Sequence, residues 1–73
     1  MANGAGDDVR AQLLELLLDK VDADNYPSST MLDIIEQLIT PETAPAYADV
    51  LMAKIDGENY PSMSLVRRVL QLA

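Results

Sequence analysis

The feature that most constrains this chain is that it repeats itself. Residues 17–39 read LLDKVDADNYPSSTMLDIIEQLI, and residues 51–73 read LMAKIDGENYPSMSLVRRVLQLA, aligned without a gap at an offset of 34. Leu17, Lys20, Asp22, Asn25, Tyr26, Pro27, Ser28, Gln37 and Leu38 recur as Leu51, Lys54, Asp56, Asn59, Tyr60, Pro61, Ser62, Gln71 and Leu72, nine identities in 23 positions. Most other pairs keep their character, as Val21 with Ile55, Asp24 with Glu58 and Met31 with Leu65. Upstream, Asp8 and Glu15 align with Glu42 and Asp49, which extends the unit towards its full period. A tetratricopeptide has the same period, but its Trp, Gly and small-residue pattern is missing here. Two units are also too few for a solenoid, so the shared length carries no information.

Each copy reads as helix–NYPS–helix. The first helix is expected from Asp7 or Asp8 to Val21 or Asp22, with the two acids at its positive end. With Val9 at 0° and about 100° per residue, Leu16, Leu13, Leu17, Val21, Leu14 and Leu18 span an arc of about 200°. That is wider than the ~100° stripe needed for one core contact. The second helix is expected over 29–39 with Met31, Leu32, Ile34, Ile35, Leu38 and Ile39 as its apolar face. Thr40-Pro41-Glu42 predicts the start of the third: a Thr cap, Pro at the first helical position, an acid in the first turn. This helix runs to about Asp56, with Tyr47, Val50, Leu51 and Ile55 inward. The fourth is expected over 62–72 with Leu65, Val66, Val69, Leu70 and Leu72.

The turns have a mechanical reading. Proline lacks an N–H and disfavours a helical residue before it, so Tyr26 before Pro27 and Tyr60 before Pro61 leave the helix. Ser28 and Ser62 are placed to accept from the free N–H groups that open the next helix. Asn25 and Asn59 tolerate the left-handed conformation that ends many helices. The tyrosine rings are expected to pack across the hairpins with their hydroxyls in water.

Helices this short must pack to persist. Two αα-hairpins satisfy that requirement as an all-α, compact four-helix bundle of two tandem 34-residue hairpins. Residues 1–6 are expected as an N-terminal arm and 7–73 as a single helical domain, with repeats at about 7–39 and 41–73. A core this small supplies only about 3–5 kcal/mol, so association with a partner is the remaining route to greater stability.

Composition then narrows the chemistry. The chain has no cysteine and no histidine, which removes disulfides, thiolates, most zinc sites and histidine acid–base catalysis. The serines have no histidine to activate them, and the glycines form no phosphate loop. No carboxylate pair stands out as a catalytic dyad. Residues 22–33 superficially follow calcium-loop spacing, but Pro27 stands where the loop needs glycine, and Arg67 replaces the last ligand in the second copy. No enzyme activity, cofactor or metal site is therefore expected. The formal charge of −7 argues against a direct nucleic-acid binder. No apolar run is long enough to span a membrane. The N-terminal residues lack the basic-then-apolar pattern of a signal peptide, so a cytoplasmic or virion location is expected, neither secreted nor in a membrane.

What remains is surface. Leu13, Leu14, Leu16, Leu17 and Leu18 are too many for one face, so part of the first helix is expected to be an interface, with Leu14, Leu16 and Leu18 as its residues. Charge is polarised: residues 1–59 carry a net −9, whereas 60–73 hold Arg67, Arg68 and no acid. The two arginines read either as cations near a helix C-terminus or as contacts for an acidic surface, a second copy included.

The repeated NYPSSTMLD and NYPSMSLV segments resemble the "YPS-hydrophobic-Leu" segments of small acidic helical proteins of actinobacteria and their tailed phages. That resemblance implies a structural protein of the virion, such as a minor capsid or head-accessory protein, and assigns no functional residue. The expectation is a non-enzymatic protein that docks on a larger protein assembly, or on itself as a homo-oligomer. The competing expectation is an acidic regulator that occupies a basic nucleic-acid-binding surface of its partner.

Overall fold

The structure, a computed structural model, describes residues 2–24 and 26–73, with side chains from residue 8 onward. The fold class is all-α. Among the described residues there are four helices and no strand: α1 Ala2–Ala23, α2 Ser29–Leu38, α3 Ala44–Asp56 and α4 Met63–Leu72. The chain divides into two compact units, Met1–Ile39 and Thr40–Ala73, and this boundary falls at the junction of the two repeats. In the first unit α1 packs on α2; in the second α3 packs on α4.

In the first unit the interior is Leu14 and Val21 from α1 with Leu32 and Ile35 from α2. These are i, i+7 and i, i+3 pairs, so each helix offers one line of side chains to its neighbour. Arg10 ties the helices together, its guanidinium donating to the Gln37 carbonyl at 3.0 Å. Because Gln37 lies in the last turn of α2, this bond satisfies a carbonyl left open at a helix end and sets a cation at the negative pole. It also shows that α1 and α2 run antiparallel.

The connecting turn is built locally. The Tyr26 N–H donates to the Asp24 carboxylate at 3.0 Å, and Ser28 Oγ accepts from the Met31 N–H at 3.1 Å, capping α2. Ser62, in the same place before α4, has an extended backbone and makes no side-chain cap bond. The expected pair of serine caps is thus one cap. Asn59 does not take up the left-handed conformation, since no described non-glycine residue has positive φ; Asn25 lies outside the described residues. The tyrosine rings do not pack across the turns either. Tyr26 is 84% exposed and Tyr60 92%, each at a break where the proline that follows disfavours a helical backbone.

Two helix starts differ from expectation. α1 takes in residues 2–6, which the sequence set apart as an arm. Once a helix is nucleated, each further residue adds a hydrogen bond, and this outweighs the weak propensity of Gly4 and Gly6. α3 begins at Ala44 rather than at Pro41. Residues 41–43 form a turn instead, closed by the Thr43 and Ala44 N–H groups on the Thr40 carbonyl at 3.0 and 2.8 Å. Thr43 Oγ1 in return accepts from the Thr40 N–H at 2.8 Å. Pro41 occupies the second position of that turn, where its fixed φ is favourable, and Pro45 falls in the first turn of α3 as expected.

Candidate functional site

The side of α1 turned away from α2 carries the feature that needs explaining. With Val9 at 0°, the buried Leu14 and Val21 lie at about 140° and 120°, and Arg10, which reaches α2, at about 100°. Leu17 and Leu18, at about 80° and 180°, flank this contact and are half-buried. The exposed apolar residues Val9, Leu13 and Leu16 lie at about 0°, 40° and 340°, roughly 120° from the buried line. Leu16 is 59% exposed. Lys20, also exposed, continues this stripe at about 20°. The spacing of four, three and four residues is that of a helix–helix seam.

The expected interface residues therefore separate. Leu16 and Arg67 are exposed. Leu18 and Arg68 are half-buried. Leu14, at 5% exposure, belongs to the interior and is removed from the edge, because its side chain sits on the line that faces α2. Val9 and Leu13, by contrast, are exposed. The cue available in the sequence was Arg10: a cation inside the apolar arc marks where that arc meets a helix end.

On α4, Met63, Arg67 and Leu70 are exposed and repeat the four-then-three spacing. Arg68 points nearer the buried Leu65 in helical phase and is half-buried.

Among the described residues no group of three or more His, Cys, Asp or Glu side chains is gathered closely enough to hold a metal ion. No described helix is long and apolar enough to cross a membrane. The Glu42 carboxylate is held below the ordinary glutamate range by the Thr40 side chain and then by its own backbone N–H.

No protein-family model, curated protein or solved structure matches this chain.

Proposed function

We propose that this chain is a non-enzymatic interaction protein that docks through the Val9–Leu13–Leu16 edge of α1. The observation that supports the reading is that edge itself: three large apolar side chains in seam spacing, exposed on the side of α1 away from its own partner helix. Each leucine buried in a contact contributes about 1.5–3 kcal/mol, so leaving them in water favours association. The YPS resemblance gives the larger assembly its concrete form, a tailed-phage capsid carrying this protein as a minor or accessory component. There many copies on a symmetric lattice would add avidity to a small contact.

The test is a photo-crosslinking residue at position 16, compared with one at Ala11, which is exposed on another side of α1. In the cells or particles that contain the protein, position 16 should give adducts with one recurrent protein and position 11 should not. Equal adducts from both positions would remove the edge from the proposal.

A second reading is favoured by one observation. Residues 1–39 carry eight acids and two basic residues, a net −6, against a net −1 over 40–73. Such a unit could occupy a basic surface of a partner, and its binding would weaken steeply as salt rises. Association through the leucine edge would persist in salt.

A further inference from the structure

We infer that the occupant of the α1 edge is the exposed face of α4 from a second copy of the chain. This rests on the docking proposal and names its partner.

Three observations carry it. The two faces match in spacing: Val9, Leu13 and Leu16 on α1, Met63, Arg67 and Leu70 on α4, each exposed. They also match in charge. The α1 stripe is bordered by the exposed Asp19 at about 280°, with the exposed Glu15 further round at about 240°; the exposed Lys20 ends the stripe, so the match in charge is chiefly that of residues 1–39, net −6, with α4. The α4 stripe has Arg67 at its centre, and α4 contains no acid. An arginine set between two apolar residues is poorly placed against an apolar strip alone. It suits a strip with a carboxylate along one border, where its stem covers the leucines and its head reaches Asp19. Finally, like charges disfavour contact of either face with its own copy. α1 against α1 would bring Glu15 and Asp19 close to their own copies, and α4 against α4 would do the same with Arg67.

The contact is therefore heterologous, edge of one copy to face of the next. A pair joined by one such contact keeps one unused face on one copy and one unused edge on the other. Three side chains from each partner make a small interface, below the usual size of a stable complex, so the contact is weak and concentration-dependent.

The full chain is to be followed by sedimentation equilibrium across a wide concentration range. The weight-average mass should rise above that of the monomer as concentration increases. Leu16→Asp and Leu70→Asp alter exposed positions and should keep the helical circular dichroism of the wild type. Each alone should weaken association by roughly tenfold or more. A mixture of the two still holds one intact edge and one intact face, and should form a dimer and nothing larger. Wild-type protein that stays monomeric throughout, Leu70→Asp that associates like wild type, or a mixture that gains no dimer would each overturn the inference. In any of those cases a recurrent adduct from position 16 to a different protein would leave the docking proposal standing.

Discussion

Leu13 and Tyr47 hold equivalent places in the two repeats and lie on opposite sides of the burial divide: Tyr47 is 0% exposed, Leu13 41%. Tyr47 and Leu51 form the interior line of α3, whereas α1 uses Leu14 and Val21. In repeat register those lines differ by about 70° around the helix axis. The facing helices differ to match. α2 buries Leu32 and Ile35, whose counterparts Val66 and Val69 are smaller and only half-buried, while α4 buries Leu65. A large ring in α3 thus goes with smaller side chains in α4, a volume exchange of the kind that cores tolerate. In α1 the rotation leaves Leu13 outside, among the exposed apolar residues Val9 and Leu16.

Truncating the two residues should therefore have unequal effects. Tyr47→Ala removes a fully buried ring and should cost about 3–5 kcal/mol, comparable with all that a core of this size supplies. Leu13→Ala should cost about 1 kcal/mol or less. Thermal melts followed by circular dichroism decide it. Similar losses in both variants would mean that the two repeats bury the same face.

The two capping serines provide a matched pair. Ser28→Ala loses a hydrogen bond to the Met31 N–H and should cost about 0.5–2 kcal/mol. Ser62→Ala loses no such bond and should lie within about 0.5 kcal/mol of wild type. Urea denaturation of both variants measures the difference.

How far the sequence was legible depends on what kind of signal each feature leaves. The helix breaks at Tyr26-Pro27 and Tyr60-Pro61 were readable, because proline acts on its neighbours through fixed covalent geometry. The direction of the α1 interior was not. Periodicity marks an apolar arc, and an arc of ~200° leaves undecided which part of it meets the next helix. Leu14 was accordingly expected at the surface although it is buried, and the exposure of Val9 and Leu13 was not singled out. The Ser62 cap failed for a related reason: residue type marks a capping candidate, while the bond depends on side-chain and backbone angles that the letters do not record.

Gly57 closes α3 without the left-handed backbone that usually calls for glycine. Its φ is −79° and ψ −5°, within reach of any residue. A Cβ added there would lie 3.4 Å from the Ala53 carbonyl oxygen and 3.8 Å from that of Lys54, ordinary contact distances. Gly57→Ala should therefore stabilise the protein by about 0.4–1 kcal/mol, by reducing the freedom of the unfolded chain. A melting temperature that falls would refute this.

Arg10 makes a different kind of claim, since its head is exposed while its bond spans two helices. Arg10→Ala should destabilise the first unit by roughly 0.5–1.5 kcal/mol. Hydrogen exchange at the amides of α2 locates the effect, which should be larger there than in α4. A uniform change across both units would contradict the assignment.

The turn before α3 should be visible in acid. The hydrogen bond from the Thr40 side chain, with the Glu42 backbone N–H, favours the ionised carboxylate of Glu42 and lowers its pKa, while burial acts weakly the other way. A carboxyl whose pKa is lower folded than unfolded contributes stability that is fully present above the unfolded value. That contribution is lost as the pH falls through the folded one. Following the Glu42 side chain by NMR from neutral pH downwards should thus give a midpoint below the ordinary glutamate range. Thr40→Val removes the larger cause, so the midpoint should move up. An unchanged midpoint in that variant would assign the shift elsewhere, and the turn would then owe its form to the backbone bonds on the Thr40 carbonyl, which the substitution leaves in place.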